Sequence, residues 1–113
     1  MKYEDMGDIA IDRKIFEIKF GSGDKDMERI WKQNKFRPCS NAANSWEIIN
    51  EYGISLVFMP DDNPYYEAHY INPETDDEDF HSKSENGLRA AMICFLKIKD
   101  AENEPSNSNP ASR

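Results

Sequence analysis

Four consecutive acids, Asp76, Asp77, Glu78 and Asp79, follow Glu74 and stand shortly before His81, and Asp61, Asp62 and Glu67 extend the same sign upstream. Carboxylates in such numbers could cage a hard cation. A calcium loop, however, needs oxygen ligands at alternating positions, a glycine for the sharp turn and a closing bidentate Glu. Here the acids are contiguous and no glycine follows before Gly87, so neighbouring carboxylates point apart. The run fits a solvated polar loop, or a surface that meets a cationic partner.

The other groups able to do chemistry are Cys39, Cys94, His69 and His81. Zinc sites show a short-spaced pair of ligands, and these four are scattered, so no metal and no cofactor is expected. A Cys39–His69 arrangement at a sheet edge is the one enzyme-like or nucleotide-binding alternative. Cys94 falls in an apolar stretch, where desolvation leaves a thiol protonated and inert. The stretch GSGDKD carries Gly21 and Gly23 without the later glycine and lysine of a phosphate loop, and reads as a turn. Lys25, Arg29, Lys32, Lys35 and Arg37, interleaved with Trp31 and Phe36, are the feature closest to a nucleic-acid surface. The acids that share this segment make it a mixed-charge surface.

Charge is unevenly distributed over the 113 residues, whose net charge is −8. Residues 1–37 and 83–113 each carry a net of +1, while residues 38–82 hold ten acids and no Lys or Arg. Such a block repels phosphate, which disfavours DNA or RNA as the partner and suits a basic protein surface. No apolar run approaches a membrane span, and the start, MKYEDMGDIAID, lacks a basic patch followed by an apolar stretch. A cytoplasmic protein with reduced cysteines is expected.

The elements that would position these groups follow from periodicity. Ile11, Ile15 and Ile18 share one helical face behind Asp8 as N-cap, which predicts a helix over 9–20 that ends at Gly21. MERIWKQNKF reads as a short strand or hairpin. NSWEIINEYG predicts a helix with Trp46, Ile49 and Tyr52 on one side and Gly53 as its left-handed cap. ISLVFM and YYEAHYI alternate as strands around the turn PDDNP, with Tyr66, Ala68 and Tyr70 on one face and Glu67 and His69 on the other. From about Asn86, Leu88, Ala91, Met92, Phe95 and Leu96 follow helical spacing, and Ile93, Cys94 and Ile98 widen the stripe to most of the circumference. That helix belongs at the centre. The expected fold is α+β, one small domain over residues 1–100, with helices on a short antiparallel sheet in the order α-β-α-β-β-α. Residues 101–113, rich in Ser, Asn and Pro, read as a disordered tail.

Two stretches carry a resemblance. In FRPCSNAANSWEIINEYGISL, the residues Phe36, Pro38, Cys39, Trp46, Ile48, Ile49, Ile54 and Ser55 match a pattern of the NinX-like proteins of lambda-type phages. In NGLRAAMICFL, Asn86, Leu88, Arg89, Ala90, Ala91, Met92, Phe95 and Leu96 resemble that family's closing helix, with Gly87 where it has Pro. Tyr3, Asp8 and Ile11 resemble its opening, with Asp12 in place of Asn. The acidic run finds no counterpart. The resemblance implies a phage accessory protein in the host bacterial cytoplasm and no catalytic residue. Together with the charge pattern, it leads to a non-enzymatic protein that binds a basic host protein through Asp61, Asp62, Glu67, Glu74, Asp76, Asp77, Glu78 and Asp79.

Overall fold

A computed structural model describes residues 3–21, 23, 25–71 and 78–102. After a short 3-10 turn (Tyr3–Asp5) come three helices, α1 (Asp8–Phe20), α2 (Lys25–Lys32) and α3 (Ala42–Tyr52). Strands β1 (Ser55–Met59), β2 (Tyr65–Ile71) and β3 (Glu78–Ser84) follow, and α4 (Gly87–Glu102) closes the described chain. The strands form one antiparallel sheet in the order β1-β2-β3. The α+β class is as expected, with two differences in its elements.

The stretch read as a strand or hairpin is α2. Met27, Ile30 and Trp31 are spaced for a helix, and Trp31 holds it to α1 by packing on Phe16, ring centroids 5.3 Å apart. The second difference is β3, absent from the sequence reading. His81, expected in a loop, lies on β3 directly opposite His69.

Helix α4 is the hub. Ala90 to Leu96 and Ile98 are all buried, because β2 and β3 cover one side of the helix and α1 and α3 others. Each large apolar side chain removed from water there contributes about 2 kcal/mol. Tyr66, Ala68 and Tyr70 share the sheet face turned to α4, with Leu56 and Phe58 beside them on β1 and Ser82 on β3. Ser82 Oγ donates to the Ala90 carbonyl. A small hydroxyl thus lets helix and strand approach closely.

The faces of α1 and α3 needed correction. In α1 the buried set is Ile11, Asp12, Ile15 and Phe16, whereas Ile18 is partly exposed. Gly7 is the cap residue, and Asp8 sits in the first turn. In α3 the buried face runs through Ser45, Ile48 and Ile49, while Trp46 is 56 % exposed. Gly53, at φ 66°, ends α3 in the left-handed conformation expected.

Two asparagines cap helices. Asn41 Oδ1 accepts from the amides of Ala43 and Asn44 at the start of α3. Asn86 Oδ1 accepts from those of Leu88 and Arg89, and its Nδ2 also donates to the Cys39 carbonyl at 2.7 Å. Replacing Asn41 by Ala therefore costs a cap alone, about 1 kcal/mol. Asn86→Ala also strands the Cys39 carbonyl and is expected to cost about 2–3 kcal/mol. Urea denaturation of the two variants side by side measures the difference.

Candidate functional site

Among the described residues, no helix packs on the second face of the sheet. Directly opposed residues in antiparallel strands share a face, so register places Val57, Glu67 and Lys83 in one row across it. Ser55, His69 and His81 make a second row, and Met59 with Tyr65 a third. Glu67 is central to this outer face. Its carboxylate accepts from the Tyr65 hydroxyl at 3.3 Å and lies 3.0 Å from His69 Nε2. The His69 and His81 rings stack at 6.2 Å, and Lys83 Nζ sits 5.6 Å from the Tyr65 ring centre. As the alternation implied, Glu67 and His69 turn away from the helices.

Asp61 and Asp62 are exposed in the turn between β1 and β2. Glu78 and Asp79 open β3, where Ile71 of β2 faces Glu78 across a bulge. Glu74, Asp76 and Asp77 lie outside the described residues. The turn and the start of β3 are at opposite ends of β2. Six residue steps of strand separate them by roughly 20 Å, more than twice the ~8 Å screening length at physiological salt. By backbone position the described acids therefore form a line along the sheet, with Glu67 between its two ends.

The cations supplied by the chain ends stay largely at those ends. Arg13 binds Glu17 and Glu28, and Arg29 binds Asp26. Arg37 lies 4.0 Å from the Trp31 ring centre and bonds Asn34 and the Phe36 carbonyl. Arg89 meets Asp8 at 2.7 Å, and Lys97 meets Glu4 at 2.7 Å. Among the described residues, two cations come near acids of the central block, Lys19 at 3.8 Å from Glu51 and Lys83 beside Glu67 in register, while Lys97 and Lys99 donate there to the His81 carbonyl and the Tyr52 hydroxyl. Among the described residues, no cation pairs with Asp61 or Asp62. The charge segregation seen along the chain persists in three dimensions.

The Cys39–His69 alternative does not assemble. His69 leaves the sheet on the side away from α4, whereas Cys39 is fully buried on the other side, between α1 and the start of α4. Burial, then the nearby Asp12 carboxylate, push the Cys39 thiol pKa upward, so it stays protonated. Cys94 is likewise buried, its thiol 3.8 Å from the Phe80 carbonyl. Among the described residues no cluster of three or more His, Cys, Asp or Glu is arranged to hold a metal ion. No helix among them is long and apolar enough to cross a membrane.

Several residues that carry the resemblance meet at the starts of α1 and α4, Cys39 with Asn86 and Arg89 with Asp8. The Cys39 amide donates to Asp12 Oδ1 at 2.8 Å, its carbonyl receives Asn86, and Arg89 reaches from α4 to Asp8 and to the Met6 and Glu4 carbonyls. A model of the family described as Bacteriophage P22, NinX matches residues 2–99. The chain belongs to this phage family. It is a phage accessory protein whose NinX motifs hold the helices together. No curated protein and no solved structure matches it.

Asp12 was missed as a special position because an acid at helical spacing reads as a surface residue. It is 1 % exposed, and its Oδ2 has no hydrogen-bond partner. Desolvation raises its pKa, against the lowering effects of Cys39 and Arg37. A carboxyl whose folded pKa is raised stabilises the fold fully below the unfolded pKa of about 3.9 and loses that contribution as pH rises through the folded value. Asp12→Asn keeps an acceptor for the Cys39 amide and removes the buried charge. Both this variant and Asp12→Ala lack the titrating group and are expected to gain on the parent between pH 4 (roughly the unfolded carboxyl range) and neutrality, with Asp12→Ala about 1–3 kcal/mol below Asp12→Asn throughout because it leaves the Cys39 amide without an acceptor. Urea titrations across that pH range distinguish the two.

Proposed function

We propose that this NinX-family protein acts in the host bacterial cytoplasm by binding a basic protein surface, without catalysis. The contact is the line of acids along the open sheet, from Asp61 and Asp62 in the turn, past Glu67, to Glu78 and Asp79 at the start of β3, together with Glu74, Asp76 and Asp77, which lie outside the described residues. The partner is a nucleic-acid-binding or defence protein of the host whose phosphate site these carboxylates occupy. The observation that carries the reading is the pairing pattern. Arg13, Arg29, Arg89, Lys97 and Lys99 are taken up by acids of the two chain ends, and Asp61 and Asp62 are left facing solvent.

The geometry sets the scale of the partner. A line longer than two screening lengths is read by an extended basic surface rather than by a single lysine pocket. The basic residues of segment 25–37 support a nucleic-acid reading less well. Arg29 is engaged by Asp26, and Arg37 is stacked on Trp31.

The test is capture of host proteins on the immobilised full chain at about 50 mM and about 500 mM salt, bracketing the screening range. Two charge-removing variants run in parallel: Asp61→Asn/Asp62→Asn/Glu67→Gln and Asp76→Asn/Asp77→Asn/Asp79→Asn. At about 0.5 kcal/mol per exposed pair, each set of three is expected to weaken the captured partner roughly tenfold. High salt is expected to do the same to the parent protein. Affinity that ignores both substitutions and salt would remove the proposal.

A further inference from the structure

The two edges of the sheet are unlike. β3 carries Lys83 and meets β2 through a bulge, both devices that discourage a further strand from pairing. β1, Ser-Leu-Val-Phe-Met, has no charge and no proline, and it packs on β2 and α4 with its outer edge open among the described residues. Val57 on the outer face is 43 % exposed, and Phe58 on the helix-side face is 52 % exposed, its ring against Tyr66 at 5.2 Å. Such an edge offers a row of backbone donors and acceptors to an incoming segment.

Charge decides which occupant suits it. Asp61 and Asp62 follow the strand after Pro60 and pair with no cation among the described residues, and Glu67 stands next to Val57 on the outer face. We infer that the basic partner docks by strand addition: an extended segment of alternating apolar and basic residues pairs with the edge of β1. This rests on the acidic-surface reading and specifies its geometry. Successive side chains of an added strand point to opposite faces. Those on the helix side meet Leu56 and Phe58 and are apolar. Those on the outer side lie over Val57 within reach of the carboxylates, where a Lys or Arg buries its aliphatic stem and keeps its charge toward Glu67, Asp61 and Asp62.

The probes are a ten-residue synthetic peptide of alternating Val and Lys, and the same peptide N-methylated at every second residue. The second keeps charge and side chains but cannot complete a ladder. With the full chain, the unmodified peptide is expected to bind at low salt and to slow hydrogen exchange of the Ser55–Met59 amides. The N-methylated form is expected to bind about tenfold more weakly or less, as backbone pairing supplies much of the affinity in strand addition. Val57→Lys, a change at an exposed position, is expected to weaken the unmodified peptide to a similar degree. Equal binding by both peptides, unchanged exchange of the β1 amides at saturation, or no binding at all overturns strand addition. Unchanged binding by Asp61→Asn/Asp62→Asn/Glu67→Gln instead overturns the acidic-surface reading, so the two failures are distinguishable.

Discussion

A single chain of hydrogen bonds ties the helical half of the molecule together. Asp12 Oδ1 takes the Cys39 amide, the Cys39 carbonyl takes Asn86 Nδ2, and Asn86 Oδ1 caps α4. α1, the loop before α3 and the start of α4 are thereby fixed to one another through groups that are buried or nearly so. In a low-dielectric interior, an unmade bond of this kind costs more than a made one contributes. The junction is therefore satisfied as a unit. Arg89 completes it from α4 by holding Asp8 and two carbonyls of the N-terminal turn. The cost of the arrangement is the second Asp12 oxygen, which has no partner.

What the junction positions is α4, and α4 in turn positions the sheet. A helix buried almost all round must receive apolar cover from several elements, and three strands supply one side of it with alternate residues. The remaining residues of each strand then face the other way, where no helix packs among the described residues. Glu67, His69, His81 and Lys83 are on that face as a consequence of pleat and register. The segregation of charge has the same origin. Basic residues belong to segments that pack at the helical end, close to the acids of those segments, and the sheet inherits a stretch of chain nearly devoid of cations.

Long, strongly patterned elements were legible in the sequence: α1, α3 with its Gly53 terminus, the β1–β2 hairpin and the central α4. The failures have physical causes. In β3 the helix-side positions are Phe80, Ser82 and Ser84, and two serines conceal the alternation because close approach to α4 requires small side chains there. Without β3 the acidic run looked continuous with Asp61 and Asp62. With it, the length of β2 separates them. α2 was misread because eight residues give barely two turns of periodicity, and its anchoring to α1 through Trp31 is a tertiary contact. Helical spacing puts Trp46 on the side of Ile49 and Tyr52, yet the buried face is centred on Ser45, Ile48 and Ile49, and Trp46 falls at its exposed margin. The candidate site was legible as a set of residue types and not as an arrangement.

Gly87 links the family motif to this particular sheet. The resembled pattern has Pro at that position, which is the first residue of α4 and suits a ring without an amide proton. Here a side chain at Gly87 would begin 3.1–3.3 Å from the Tyr66 ring, tighter than ordinary contact. The glycine and the tyrosine are therefore matched: the aromatic ring of β2 occupies space that a pyrrolidine would need. Tyr66 in turn supports Phe58 on the open edge strand. A departure within the helix motif thus traces to packing of the sheet. Many residues of the resemblance are consumed in holding α4, whereas Glu67, Glu78 and Asp79 and the aromatic edge belong to the sheet.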